Sequence, residues 1–339
     1  MNSSISVSER WRRLIALYAA SALALGAAVA TLLLALDPYD TGRLALLGEH
    51  GVPRLGQRLA AASLGRRPNV DTAIIGNSVM QLLAPARIDA AGGGRVVQLT
   101  IPGTGPPEQI VVAEWFRRHH PGANLRGLII GLDETWCRGD GRLELTNPFP
   151  YWLYGDSALD YAAGLMSLKS IEAVAREIKL LLGRTPPARD DGYVDYEAGR
   201  VWTAEGVAAR TAPPADIDTP AAPAAPPPDF AAVPLLHEFL PRLPAAARVV
   251  LVFPPRHRHA IARPGTAAAA MARACLAAFA AVAAERPGTL VLDFVGRDGM
   301  TEDEDFWDLI HYRATVARRM ETEIAAALGG PRKEKEDLP

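Results

Sequence analysis

Cysteine is nearly missing from this chain, with two residues, Cys137 and Cys275, among 339. That scarcity excludes a disulfide-dense scaffold and every multi-cysteine zinc pattern. The two could be joined in an exported domain or could be small buried apolar residues, and their spacing along the chain decides neither. A basic excess is missing too. The formal net charge is -2 and the pI is near 6.4. No Lys/Arg-rich stretch is interleaved with aromatics, so nothing gathers phosphates and nucleic acid is not an expected partner. Metal-ligand spacing is also lacking. The histidines of Pro254-Pro255-Arg256-His257-Arg258-His259 are flanked by arginines that repel a cation, and neither a metal nor another cofactor is expected.

What stands out instead is one long uncharged run, Leu14 to Leu36. At about 1.5 Å per residue it can cross a hydrocarbon core of roughly 30 Å as a helix. Arg10, Arg12 and Arg13 precede it, and Asp37 and Asp40 follow. The positive-inside bias then leaves residues 1–13 as a cytoplasmic tail and sends the bulk of the chain to the periplasm or cell exterior, on a single-pass anchor in the cytoplasmic membrane. Ala28-Val29-Ala30 resembles a signal-peptide cleavage site, but the apolar run continues through Leu32, Leu33 and Leu34, which favours an uncleaved anchor.

Past a connecting segment, residues 37–69, short apolar runs alternate with longer segments of helical composition, the mark of an α/β fold. Strands are predicted at Thr72 to Ile75, Arg95 to Leu99, Gly127 to Leu132, Arg248 to Phe253 and Thr289 to Phe294. Their nearly continuous apolar character fits parallel strands covered on both faces, in a three-layer α/β/α sandwich with a mostly parallel sheet. Helices are predicted over Pro107 to His120, Thr266 to Arg286 and Ala314 to Leu328. His119-His120, before Pro121, reads as a solvated helix end. Residues 138–228 break the alternation and read as an insertion. It contains the aromatic group Phe149, Tyr151, Trp152 and Tyr154, which could stack on sugars or rest at the membrane interface, one helix over Ser157 to Leu182, and a proline tract from Ala212 to Pro228 that makes a surface loop or linker. Residues 331–339 read as a disordered tail.

In an open parallel sheet, ligands collect beyond the carboxyl ends of the strands. Ser78, in Ile74-Ile75-Gly76-Asn77-Ser78, lies there. So do Gly103 after the second strand and Asp133 at the end of the third, while Asp308 and His311 follow the fifth strand. An unassisted serine hydroxyl is a poor nucleophile and needs an imidazole to take its proton. His311 is the candidate base, and Asp308 can fix its tautomer. Ser78 and Gly103 can offer backbone N–H groups to a developing oxyanion, with Asn77 beside them. Arg256 and His257, after the fourth strand, could line the same crevice and contact an anionic or sugar substrate. Each motif has a structural alternative: Ser78 as a helix N-cap, Asp308 as a cap beside a surface histidine, and the aromatic group as packing for the insertion.

The segments IIGNS, the Gly103 turn, GLDE and DLIH, in that order and on those strands, resemble the blocks of the SGNH/GDSL hydrolase superfamily. The nearest likeness is its membrane-tethered branch related to polysaccharide O-acyltransferases and alginate O-acetylation proteins. The resemblance runs from about Val70 to Leu328 and is weaker in the insertion. It implies a flavodoxin-like sandwich, an SGNH-like domain over residues 70–330, with Ser78, Asp308 and His311 on the triad positions. The expected function is an exported serine esterase or O-acyltransferase handling acyl groups, above all acetyl, on a cell-envelope polysaccharide. Two positions depart from the pattern. Asn77 stands where family members commonly have Asp, and Asp133 stands where an Asn usually donates to the oxyanion. An ionised carboxylate cannot donate. That second departure leaves open an alternative, a degenerate scaffold that binds glycan or assembles an envelope protein complex.

Overall fold

A computed structural model describes residues 7–43, 56–139, 148–213 and 229–329. The first six residues, most of the proline tract and the charged C-terminal tail lie outside the described residues, as does part of the connecting segment. At the centre is a five-stranded sheet built from β1 (Thr72–Ile75), β2 (Val96–Gln98), β3 (Gly127–Gly131), β4 (Arg248–Phe253) and β5 (Thr289–Asp293). Its order is β2-β1-β3-β4-β5, and every pairing is parallel.

Alternation along each strand divides the apolar side chains between two cores. Ala73, Ile75, Leu128, Ile130, Val249 and Leu251 face one cluster. It is completed by α2 (Gln57–Leu64), α4 (Pro106–His119), α9 (Ala232–Phe239) and α10 (Ala267–Ala284). Ile74, Ile129, Val250 and Val252 face the other, closed by α3 (Pro85–Ala90) and α11 (Ala314–Gly329). Helices thus cover both faces. The edge strand β5 is only half-buried, unlike the fully covered strand expected there. At the opposite edge β2 is short, and the insertion returns beside it, with Gln98 N donating to Asp191 O at 2.8 Å.

The insertion contains α5 (Tyr151–Tyr154), α6 (Ala158–Leu165), α7 (Leu168–Leu181) and the short α8 (Ala204–Ala208). The single helix expected over Ser157 to Leu182 is therefore two. The break falls at Met166-Ser167, where the Ser167 hydroxyl accepts from Ser170 N and starts a new helix, just as Ser157 caps α6 through Asp160 N. Phe149, Leu153 and Tyr154 are buried in the first core, so most of the aromatic group packs the insertion onto the domain. His120 is buried rather than solvated, its ring nitrogens 2.9 Å from Phe116 O and Arg67 O. Cys137, after β3, and Cys275, on α10, form a disulfide with Cα atoms 5.5 Å apart.

The N-terminal run forms α1 (Val7–Leu36), an apolar helix of a length to cross a membrane, as a span or a signal anchor, and exposed over most of its length. Its exit is tightly held. Asp37 accepts from Thr41 Oγ1 at 2.9 Å and Gly42 N at 2.8 Å, and the Tyr161 hydroxyl donates to it as well. Asp40 accepts from Ser63 Oγ and from Arg66 Nη2, both at 2.7 Å. The two aspartates read as flanking charges are thus buried anchor points. From there α2, about 12 Å long, leads toward the loops after β1 and β2, where Arg58 donates to Pro102 O at 2.9 Å and Gln57 bonds Gln81.

Candidate active site

Two glycines let the ends of β1 and β3 close around one side chain. A Cβ at Gly76 would lie 2.7 Å from Met80 Cγ, and one at Gly131 would lie 2.4 Å from the same atom. Met80 is fully buried between them. With Met80 seated, the chain leaving β1 turns at once into a short 3-10 turn, Ser78–Met80, and Ser78 stands at its start. Asn77 caps that turn through its side-chain oxygen, which accepts from Val79 N.

The loop after β5 carries the partner groups. Asp308 Oδ1 accepts from Ile310 N at 2.9 Å and His311 N at 2.8 Å, which folds the loop back on itself. Its Oδ2 lies 2.8 Å from His311 Nδ1, and His311 Nε2 lies 2.8 Å from Ser78 Oγ. Because Asp308 can only accept when ionised, the proton sits on Nδ1, and Nε2 is free to accept from the serine. Burial pushes the Asp308 carboxyl up, but the hydrogen bond from His311, the attraction of its ring when protonated, and the two backbone donors outweigh it. The group ends below the usual carboxylate range. The three side chains therefore stand in the order that a nucleophile, its base and an orienting carboxylate would need.

Gly103 occupies the turn after β2 with φ +66°, a left-handed conformation that favours glycine. The turn is joined to the nucleophile's strand end by Ile101 N donating to Gly76 O at 2.9 Å. Among the described residues neither Ser78 N nor Gly103 N has a protein acceptor, so both remain available to an oxyanion. Asn77 and Asp133, by contrast, face each other. Asn77 Nδ2 donates to Asp133 Oδ2 and to Thr104 O, while Asp133 Oδ1 accepts from Thr135 N at 3.1 Å and Thr135 Oγ1 at 2.5 Å. Neither side chain points a free group at the serine: Asn77 shapes the turn, and Asp133 is turned away from the place of an oxyanion donor. Burial pushes the Asp133 carboxyl up against the pull of these donors.

Putting a second carboxylate there should be costly. Asn77→Asp would bury like charges together, and we expect a loss of roughly 2 to 4 kcal/mol in urea unfolding. The deficit should shrink as the pH falls and one carboxyl takes up a proton. The double variant Asn77→Asp/Asp133→Asn should recover most of it; a double variant worse than either single would show that the pair does not interact as described.

Arg256 remains at the rim, 3.5 Å from Glu134 Oε2. His257 does not: its side chain is fully buried, with Nε2 2.8 Å from Asp303 and Nδ1 accepting from His259 N. It is a strut for the loop, which also receives His257 N on Leu309 O at 3.1 Å. Desolvation lowers its pKa, consistent with a neutral ring. His257 is thus corrected from substrate contact to loop support.

The residues that clasp the triad loop come from the insertion and were not anticipated. Glu197 accepts from Trp307 Nε1 at 2.7 Å and from Ala314 N at 2.9 Å, bracketing Asp308 and His311. Tyr196 donates to Tyr312 O at 2.6 Å and meets the His311 ring edge-on at 5.7 Å between centroids. Trp202 Nε1 donates to Phe306 O and Arg210 Nε to Trp307 O. This segment has no apolar periodicity, so only its aromatic content could have marked it.

Compared with protein-family models, curated proteins and solved structures, the chain matches none. Its chemistry has to be read from the site. Two cavities, of about 920 and 540 Å3, lie against α4 to α7 and the end of α1 and are lined by none of the triad residues. The triad sits instead at an open edge, with the Asp308 side chain 34% and that of His311 27% exposed. Among the described residues no group of three metal-ligating side chains gathers.

Proposed function

We propose that this chain is an exported, membrane-anchored serine esterase or O-acyltransferase of the SGNH/GDSL type, acting on acetyl or similar acyl groups of a cell-envelope polysaccharide. The observation that carries this reading is the 2.8 Å contact between Ser78 Oγ and His311 Nε2, with Asp308 behind the ring. The parallel sheet with helices on both faces is compatible with the flavodoxin-like sandwich that the sequence motifs imply. The two departures from the family pattern reduce to one. Amide and carboxylate have exchanged positions, and Asn77 and Asp133 meet across the exchange. The carboxylate that argued for a non-catalytic scaffold is therefore engaged elsewhere.

In the reaction, Ser78 Oγ attacks the ester carbonyl as its proton passes to His311 Nε2, and Asp308 stabilises the imidazolium. The negative oxygen is received by the N–H groups of Ser78 and Gly103. Collapse expels the alcohol, which takes the proton from His311 and leaves an acyl group on Ser78. A water, or a sugar hydroxyl, then gives its proton to His311 and attacks the acyl-serine; collapse breaks the bond to Ser78 Oγ, which takes the proton back from His311, and the free acid or the new ester leaves. The open edge suits acyl groups that project from a polymer. The disulfide and the arginines before α1 support placement of the domain outside the cytoplasmic membrane.

Treating the full chain with a fluorophosphonate probe should label Ser78, as read by mass spectrometry of the peptide, and His311→Ala should abolish labelling. An unlabelled Ser78 in the folded protein would overturn the assignment of a nucleophile.

A further inference from the structure

The helix α7 is built inside out. Its protein-facing side carries Ser170, Ala173, Val174 and Glu177, whereas Leu168, Ile171, Ala175, Ile178 and Leu182 at its end form an exposed stripe. Their spacing alternates three and four residues, which lines them up on one side of a helix turning about 100° per residue. Leu168 is 85% and Leu182 61% exposed, and Leu159 on α6 is 83% exposed. Lys169, Glu172, Arg176 and Lys179 fall on a third side, next to the stripe. A helix that only packed on the domain would turn its leucines inward. This one has three sides, and each needs a different neighbour.

The position of α1 identifies the neighbour of the apolar side. Burial on α1 begins at Val29 and Ala30, where the helix meets α6 and α7. Tyr161 on α6 bonds Asp37 and Thr41, and Ser170 on α7 lies 3.2 Å from the Tyr39 hydroxyl. The run from Leu14 to Leu36 is about 35 Å long as a helix, slightly more than a core of roughly 30 Å. Its last turns therefore leave the hydrocarbon at the level where α6 and α7 are attached.

We infer that α6 and α7 are a second, interfacial membrane attachment, with the Leu168-Ile171-Ala175-Ile178-Leu182 stripe immersed in the outer-leaflet acyl boundary and the neighbouring charged side among lipid headgroups. Lys169, Arg176 and Lys179 outnumber Glu172 on that side, so anionic headgroups are the favoured contact, and long basic side chains can reach them while their stems stay in the apolar layer. The inference takes α1 as embedded. It does not depend on the proposed acyl chemistry.

The test uses the full chain in nanodiscs of phosphatidylethanolamine and phosphatidylglycerol. Single variants Leu23→Cys, Ile171→Cys, Ile178→Cys and Met271→Cys are labelled with an environment-sensitive fluorophore, the native cysteines being disulfide-bonded. All these positions are exposed, so the substitutions disturb no core. Labels at 23, 171 and 178 should emit to the blue and lose at least half their intensity to spin-labelled lipid, while that at 271 on α10 should not. Quenching at 23 without quenching at 171 and 178 would overturn the interfacial attachment. Blue emission at 171 and 178 that resists lipid quenching and accompanies crosslinking between chains would assign the stripe to a second copy. An unquenched label at 23 would remove the span and this inference with it. Esterase activity, read on the same samples, stands or falls separately.

Discussion

His311→Ala and Ser78→Ala should each lower the rate of acetyl release from p-nitrophenyl acetate by about 10^4- to 10^6-fold, and the double variant should be scarcely worse than either. The reason is that the two groups act as a unit. The imidazole activates the hydroxyl only across the 2.8 Å contact, so removing one member leaves the other without a role. Asp308→Asn should cost roughly 10^2- to 10^4-fold with geometry intact. An amide in its place can present an N–H to Nδ1 and leave the proton on the nitrogen that must accept from serine. Circular dichroism would confirm that each variant folds, as expected for side chains at an open edge. Equal rates for all variants and the parent would remove the catalytic reading altogether.

The second large effect concerns stability. The Cys137–Cys275 bond closes a loop of 138 residues that includes the insertion, α9 and β4. In the chain-entropy account, a crosslink over so long a loop contributes about 3 to 5 kcal/mol by restricting the unfolded chain. For a domain of this size that corresponds to roughly 6 to 10 °C in Tm. Cys275 is fully buried against α10's own core contacts, so Cys275→Ser adds an unpaired hydroxyl to the loss. Cys137→Ser is the cleaner variant, and reduction of the parent protein under mild denaturant should match it. A Tm that ignores both would mean that the bond does not form in solution.

The strands were legible almost residue for residue, because buried parallel strands must be continuously apolar on both faces; β1 and β4 fall where their composition puts them. The positions of Ser78, Asp308 and His311 at one edge were legible on separate grounds. Ser78 directly follows β1 at the Gly76 turn, whereas Asp308 and His311, well past the end of β5, were marked by their three-residue spacing and by the family resemblance. What the sequence did not reveal lies in side-chain direction and in contacts between distant segments. Residue type alone says that Asp133 is a carboxylate near the site, and only the fold shows that it faces Asn77 and Thr135. The break of the insertion helix at Ser167 was hidden by good helix formers on both sides. Glu197 gave no signal because its role depends on a loop more than a hundred residues later.

The helix α2 couples two things that a flexible linker would keep apart. Its Ser63 end grips Asp40 at the exit of α1, and its Gln57 and Arg58 end touches Gln81 and Pro102 beside the nucleophile and the oxyanion turn. Ser78 is thereby carried on a rigid strut rather than a leash. Where α1 is embedded, that strut sets the height of the hydroxyl above the lipid, and under the proposed function only acyl groups brought to that level come within its reach.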